Sequence, residues 1–331
     1  MKGIQLVLGR ALVLATAILT VVNSSRAQSG GYTVSERGPD FKILQKTTVE
    51  NGTNRVHRYI QLETGLNYTN SSGQLTESSD QITLLPTGGA AATQGQHQVY
   101  FPADIYNGVI EVVTPDGRHL KSRPCGVTFD DGSNTVFIAT LKSAQGYLTS
   151  SNIVTYRDAF DGIRADLVCQ YRRGGFECDL VLRQQPATPG QYGLDNAFST
   201  LQMVTEFFDT ADPEQIPAAS DDWYGLQDTT LKFGKLTMTH GKAFAFNGTN
   251  SAPQTPDVRT QTPVYKSWVH SAGRTFLIES VPVFDIAEDL NALPLTASIA
   301  HPGSRTTHLA SRISFPPAHG IVACTNQILL A

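Results

Sequence analysis

The sequence predicts an all-β fold of antiparallel β-sandwiches, with one short helix near residues 286–293. Apolar and polar residues alternate with a period of two in almost every segment after residue 40. Turn-forming Gly, Asn, Asp and Pro separate these segments at intervals of about 8–15 residues, which is typical of stacked sheets rather than βαβ units. The 331 residues are 40% apolar and 8% aromatic. This composition supplies a core and excludes a disordered chain.

Residues 1–27 have the pattern of a secretory signal peptide. Two basic residues accompany a twelve-residue apolar segment, Ala11–Val22, which is shorter than the roughly 20 residues needed to span a bilayer. Small residues at positions −3 and −1 predict cleavage between Ala27 and Gln28. An N-terminal membrane anchor is the alternative.

Loss of this segment makes the chain more acidic. The whole chain has 25 basic and 29 acidic residues, and removal of Lys2, Arg10 and Arg26 leaves 22 basic residues and a net charge of −7. Such a chain lacks the positive field that drives binding to nucleic acid or anionic lipid. We therefore expect a secreted protein, extracellular, periplasmic or at the cell surface, with no nucleic-acid partner and no membrane span after signal removal.

The mature chain is expected to begin with a linker over residues 28–40, followed by a β-sandwich portion over residues 41–183. The predicted strands of this portion combine the two-residue period with β-branched and aromatic residues. They are Phe41–Gln45, Arg55–Glu63, Gln81–Leu85, Gln98–Phe101, Val109–Thr114, Val127–Phe129, Thr135–Lys142 and Ile153–Tyr156.

A hairpin is predicted around the two-residue loop Arg173-Gly174. In that register Cys169 lies opposite Cys178, and Tyr171 lies opposite Phe176. Both are non-hydrogen-bonded pairs, whose α-carbons lie about 4.5 Å apart, within disulfide range. Because exported chains meet oxidising conditions, we predict a disulfide between the two cysteines.

Residues 184–193 are rich in Pro, Gln and Gly and are predicted to be a linker or crossover. A second β portion over residues 194–294 begins with Thr200–Phe208, where the Thr, Val and Phe content favours a strand over a helix. Asp285 and Glu288 have the spacing of a capping box. They predict the start of the short helix, whose apolar face is formed by Ile286, Leu290 and Leu293.

From residue 295 to residue 331 the pattern fades, and we expect an irregular tail. Its histidines His301, His308 and His319 are spaced neither for one helical face nor for a closed zinc loop. Cys125 and Cys324 remain as a second pair of cysteines, and their pairing is inferred only by elimination.

Compact catalytic motifs are missing from the sequence. It contains no nucleophile elbow, no Ser-x-x-Lys, no His-Glu-x-x-His, no Cys-x-x-Cys and no phosphate-binding glycine loop. A triad of scattered Ser, His and Asp remains open, because order along the chain is not fixed. Asp130–Asn134 is a calcium candidate that lacks the downstream Glu of an EF-hand, and turn formation is the preferred interpretation. We assign no catalytic, cofactor-binding or metal residue, and we expect no cofactor.

The alternative function that the sequence leaves open is the hydrolysis or binding of carbohydrates. Asp158 with Asp161, or Asp221-Asp222, could supply the two carboxyl groups of a glycosidase, but sequence neighbours seldom reach the required separation. Trp223-Tyr224 and Trp268 could stack on a sugar ring, although packing is the preferred role.

Several phrases in the chain resemble the N-terminal β-rich region of large, uncharacterised secreted bacterial proteins, some of which carry RHS/YD-type repeats. The similarity covers roughly residues 41–294 and implies no activity or catalytic residue. Because those proteins are much longer, it implies a truncated or standalone version. The phrases are Glu63–Tyr68, Ala92–His97, Asp104–Ile110, Asp158–Leu167, Leu201–Phe208 and Leu277–Asp289.

Together these observations predict a secreted structural or interaction module of a bacterial surface or extracellular protein, without intrinsic catalysis. The expected partner is a surface protein or a glycan. A carbohydrate-binding module or carbohydrate-active enzyme is the alternative.

Overall fold

The structure is a computed structural model that describes residues 31–218, 226–247, 261–295 and 319–330, with backbone alone at residues 247 and 319–330. The signal segment, the Ala27–Gln28 cleavage site, His301, His308 and the Asp221–Tyr224 cluster lie outside the described residues. Among the helices within these ranges, none is long and apolar enough to cross a membrane.

Strands dominate the described chain, which confirms the all-β prediction. In chain order the strands are β1 (Thr33–Gly38), β2 (Phe41–Glu50), β3 (Thr53–Leu62), β4 (Asn67–Thr69), β5 (Leu75–Glu77), β6 (Thr83–Leu84), β7 (Ala90–Ala92), β8 (Gln98–Phe101), β9 (Ile110–Val113), β10 (His119–Asp130), β11 (Thr135–Leu141), β12 (Gly146–Ser150), β13 (Ile153–Tyr156), β14 (Phe160–Asp161), β15 (Ala165–Arg172), β16 (Gly175–Leu182), β17 (Thr200–Phe208), β18 (Glu214–Pro217), β19 (Thr229–Phe233), β20 (Leu236–Met238), β21 (Gly241–Asn247), β22 (Thr262–Ser271), β23 (Arg274–Pro282) and β24 (His319–Leu330).

The chain divides into two compact units, residues 1–67 and residues 68–331. The described part of the first unit is a meander in which β2 pairs with both β1 and β3. Strand β1 lies within residues 28–40, so this segment is not purely a linker. Its Thr-Val-Ser-Glu-Arg run is polar and alternates weakly, and pairing with β2 makes it a strand.

The second unit contains two large antiparallel sheets, which are the layers of a sandwich. In the first sheet the long strand β10 is central, with β9 and β11 along one edge and β17 along the other. Strands β6, β7 and β8 continue outward from β9, whereas β23 and β22 continue from β17.

In the second sheet the order runs β12, β13, β15, β16 and β24. Beyond β24 lie β20 and β21, and β19 and β18 follow β20. Strand β21 also pairs with β22 of the first sheet, so it links the two layers. Because each sheet takes strands from both sides of residues 184–193, that segment connects parts of the same sheets.

A large apolar core in the second unit takes side chains from both sheets, and a smaller separate cluster is formed by Ile153, Val168, Val181, Phe244 and Phe246. Tyr156 and Tyr171 are fully buried within it, and each hydroxyl donates a hydrogen bond to a backbone carbonyl, of Pro102 and His97 respectively. Other core members from the two sheets include Val127, Phe129, Leu201, Leu277, Leu167, Leu180 and Leu182.

Strand β24 corrects the expectation of an irregular tail over residues 295–331. It pairs with β16 from Gly175 to Leu182 and contributes a full-length strand to the second sheet. This pairing joins residues 139 to 154 positions apart in the sequence, so no local pattern of turn residues predicts it.

The short helix forms where the sequence predicts it, but its beginning differs from the prediction. A 3-10 turn, Phe284–Ile286, leads into the α-helix α1, Ala287–Ala292, and neither N-cap residue makes a side-chain cap hydrogen bond. The Asp285–Glu288 capping box is therefore wrong, because the 3-10 turn moves the start of the α-helix beyond Asp285. Burial of the predicted apolar face is confirmed at Ile286, Leu290 and Leu293.

The β15–β16 hairpin has the predicted register. Cys169 lies opposite Cys178 and Tyr171 opposite Phe176. The α-carbons of the two cysteines are 4.1 Å apart, and their sulfur atoms form a cross-strand disulfide in the structure.

Reduction of this disulfide is expected to lower the free energy of unfolding by less than about 2–3 kcal/mol. The chain-entropy model sets that upper limit for such a short loop, and the hairpin is already local. Urea unfolding with and without reductant measures the difference. A Cys125→Ser variant serves as control, because removing that thiol should leave the difference unchanged. Peptide mapping that finds Cys169 and Cys178 both free in protein purified without reductant would contradict the prediction.

Candidate functional site

The three-stranded sheet β1–β3 has one face that carries most of its apolar side chains and one that is mainly polar, although Val34, Leu44 and Tyr59 lie on the latter. Register fixes this division, because paired residues on neighbouring strands share a face and successive residues alternate. We call one side the apolar face. Its apolar side chains are Phe41, Ile43, Val49, Val56, Ile60 and Leu62.

The apolar face is open to solvent. Val49, Val56, Ile60 and Leu62 are 70%, 55%, 64% and 72% exposed, respectively. Monomeric proteins rarely leave so many large apolar side chains side by side in water, and such patches mark interaction sites. This face therefore has the chemistry of a surface that becomes covered.

Two charged residues lie on the same face, and they have opposite signs. The register pairs Glu36 of β1 with Ile43 of β2, and Arg58 of β3 with Gln45 of β2. Both charged residues are exposed. They therefore lie on opposite outer strands of the apolar face.

The polar face of the sheet satisfies its own groups. The Thr48 hydroxyl and the His57 Nε2 lie 2.8 Å apart. Glu50 lies 3.1 Å from the Arg55 guanidinium and 3.5 Å from His57. This side resembles the solvated face of an ordinary antiparallel sheet, so the other side is the one built for burial.

A buried ionic cluster in the second unit is the other concentration of charge. The Lys266 side chain is 0% exposed, and its Nζ lies 2.8 Å from Oδ1 of Asp228. The backbone N–H groups of Thr229 and Lys266 donate to the same oxygen. The other carboxylate oxygen bonds Nδ1 of His240, whose side chain is 63% exposed.

This environment stabilises the ionised form of the Asp228 carboxyl group. Burial by itself would raise the pKa of the carboxyl group, but the hydrogen bond and charge of Lys266, with the bond to His240, place the pKa below its ordinary value. The cluster extends from the interior to solvent. It fixes the segment before β19 to β22, which is a structural role.

Trp268 does not supply a sugar-stacking platform. Its ring is only 7% exposed and packs against Phe207 and Phe233, with ring centroids 4.8 and 5.5 Å away. The indole N–H donates to Asp212 at 2.8 Å, and the same carboxylate oxygen lies 3.0 Å from Nε2 of His270. The preferred packing role is correct for this residue.

The carboxylates of Asp158 and Asp161 share one cation. Lys142 Nζ lies 3.1 Å from Asp158 and 3.6 Å from Asp161. Both acidic side chains are mostly exposed, and the backbone N–H of Asp158, in the turn before β14, donates to the Asp166 carboxylate of β15. They therefore act as turn and ion-pair residues here.

The carboxylates of the calcium candidate are already occupied by the turn itself. Asp130 accepts hydrogen bonds from Gly132 and Thr135, and Asp131 accepts from Ser133 and Asn134. Within the described ranges, no group of three or more His, Cys, Asp or Glu residues is placed to hold a metal ion.

Cys125 is a free thiol. It lies beside Glu206 and Arg274, which form a bidentate ion pair at 2.6 and 2.7 Å. Burial, with the nearby Glu206 charge, raises the pKa of the thiol, so it is not an activated nucleophile. The inferred pairing with Cys324 is not formed, and the backbone of Cys324 lies in the other sheet.

His97 is the buried residue that sequence reasoning missed. It is fully buried, and its ring packs against that of Tyr171 at an interplanar angle of 38°, with centroids 4.7 Å apart. Neither ring nitrogen has a hydrogen-bond partner among the described residues. Burial lowers the pKa of His97 to about 4, and a contact with the Gly175 backbone, whose geometry is too poor for a hydrogen bond, opposes a smaller part of the shift. Gly95, two residues earlier, leaves room for the Tyr171 hydroxyl, 2.0 Å from where a Cβ would lie.

Comparisons with known proteins add no assignment: no protein-family model, curated protein or solved structure matches this chain. The candidate site therefore rests on geometry alone. The alternation of Phe41–Gln45 and Arg55–Glu63 predicted two of its strands, but no sequence signal showed that their apolar side would stay uncovered.

Protonation of His97 is expected to destabilise the fold below neutral pH. The pKa is 6.5 for an ordinary histidine and about 4 in the folded state. Because the unfolded chain binds the proton first, stability is complete above about pH 6.5 and falls by about 3 kcal/mol towards pH 4. Urea unfolding across this range measures the slope. A His97→Phe variant should remove this pH dependence of the unfolding free energy. Tyr171→Phe should change the unfolding free energy but keep its pH dependence. An unchanged slope in His97→Phe would contradict the assignment.

Removal of the Asp228 charge is expected to cost about 3 kcal/mol, because Asp228→Asn leaves the Lys266 ammonium buried beside a neutral amide. The double variant Asp228→Asn/Lys266→Met should recover most of this loss. Asp212→Asn is the matched control at an exposed site and should cost less than about 1 kcal/mol. Unfolding free energies measure all three, and equal losses at Asp212 and Asp228 would contradict the prediction.

Proposed function

We propose that this protein is a secreted structural or interaction module that binds another macromolecule through the apolar face of β1–β3. The observation that carries the proposal is the exposure of Val49, Val56, Ile60 and Leu62 on one side of a sheet whose other side is polar. Burial of apolar surface is the main driving force of protein association. The expected partner is a component of a bacterial surface or of the extracellular medium.

The other candidate sites in the described residues have structural roles. The apolar face is therefore the remaining candidate for a binding site. Asp158 and Asp161 share Lys142, and Asp228 holds a buried lysine. Trp268 is enclosed by aromatic neighbours. Secretion is supported by the signal pattern of residues 1–27 and by the disulfide, which suits an oxidising compartment.

Site-specific photo-cross-linking on producing cells tests this proposal. A benzophenone side chain at position 60 lies on the apolar face, and one at position 59 lies on the polar face of the same strand. Position 60 should yield a discrete cross-linked species of higher mass, and position 59 should not. No adduct from position 60, or equal adducts from both positions, would contradict the proposal.

A further inference from the structure

We infer that the partner of the apolar face is a second copy of this chain, which stacks its own apolar face on the first to form a two-layer sandwich. This inference rests on the proposed function, because it names the partner of the same surface. The argument combines the small size of the unit, the symmetry of its sheet and the two charges on its face.

Within residues 31–67, the three-stranded sheet contributes no side chain to a hydrophobic core cluster. The described part of the first unit ends at Asn67 and begins at Gly31. Units below about 40 residues usually need a disulfide, a metal or association to be stable. A sheet that is hydrophobic on one side must bury that side against another layer. An identical sheet supplies a layer of matching length and apolar character.

A two-fold axis that runs parallel to the strands, between the two layers, places the central strand β2 over its own copy. Phe41, Ile43 and Val49 then meet the same residues of the partner across the interface. The outer strands exchange, so that β1 of one copy lies over β3 of the other. The two layers of such an aligned sandwich lie about 10 Å apart.

This exchange brings opposite charges together. Glu36 and Arg58 are offset by two residues along the strand direction, because their register partners on β2 are Ile43 and Gln45. That offset is about 7 Å along the strand, within the reach of a long arginine side chain across the layers. The dimer therefore contains two symmetric Glu36–Arg58 ion pairs. A two-fold axis perpendicular to the strands would instead stack β1 on β1 and bring no opposite charges together.

The size of the face predicts a reversible dimer. Three strands of ten residues or fewer, about 4.8 Å apart, cover roughly 33 by 14 Å, so two copies bury on the order of 1,000 Å². This area lies at the lower limit for a specific interface, where association is weak or transient. We expect a concentration-dependent monomer–dimer equilibrium.

Charge reversal combined with mixing tests the geometry. Glu36→Arg alone places two arginines against each other at each ion pair, and Arg58→Glu alone places two glutamates there. Each variant should dimerise about tenfold more weakly than the wild type. An equimolar mixture should form a heterodimer of about wild-type affinity, because each copy then carries the charge complementary to the other. Analytical ultracentrifugation of the full mature chain, with distinct fluorophores on the two variants, measures all species.

Two further variants test which face of the sheet forms the dimer, without changing Glu36 or Arg58. Ile60→Asp on the apolar face should abolish the dimer, whereas Tyr59→Asp on the polar face should leave it intact, with the fold of each checked by circular dichroism. A wild-type chain that stays monomeric, or single charge variants that dimerise normally, would overturn the inference. Failure of the mixture to form a heterodimer would overturn it as well.

The cross-linking experiment separates this inference from the proposed function. An adduct from position 60 with twice the mass of the chain supports the dimer. An adduct of another mass overturns the dimer but leaves the interaction role standing. No intermolecular adduct overturns both, because the face is then covered by the chain itself or by nothing.

Discussion

The register of the β15–β16 hairpin sets the orientation of the side chains at the centre of the second sheet. In this register Leu167, Cys169 and Tyr171 point into the core, and Leu180 and Phe176 join them from the other strand. A shift by one residue would turn every one of these side chains away from the core. The cross-strand disulfide and the Tyr171 hydrogen bond to His97 both depend on the same register. Strand β24 then pairs along the full length of β16 and extends the sheet.

Charge inside the second unit is tolerated where the charged groups are paired: Asp228 and Lys266 join the two sheets, and Glu206 and Arg274 lie within the first sheet. The Asp228 carboxylate accepts a hydrogen bond from the Lys266 ammonium. The Arg274 guanidinium donates two hydrogen bonds to the Glu206 carboxylate, and these lower the pKa of Glu206. A buried pair of this kind adds little net stability, but loss of one partner leaves an uncompensated charge. These pairs therefore specify which segments of the chain lie together more than they strengthen the fold. His97 differs, since burial without a charged partner favours the neutral form of its ring.

The first unit follows the opposite principle. Its polar face forms local ion pairs and hydrogen bonds, whereas its apolar face contacts little. The sheet register, and not a pocket, creates this surface. An apolar sheet face with one acidic and one basic residue on opposite outer strands is suited to recognise another sheet. This geometry connects the alternating sequence of β2 and β3 directly to association.

By itself, the sequence determined the fold class, the hairpin register around Arg173-Gly174, and the strand at Thr200–Phe208. These depend on contacts between near neighbours or on a two-residue period, and both are visible locally. Tertiary structure decided the rest. Strand β24 exists because β16 offers it a pairing edge, and the sharing of Lys142 by Asp158 and Asp161 depends on how two loops meet. Whether an apolar strand face is covered depends on what packs over it. The alternation of apolar and polar residues identifies such a face but does not identify the sheet or partner that packs on it.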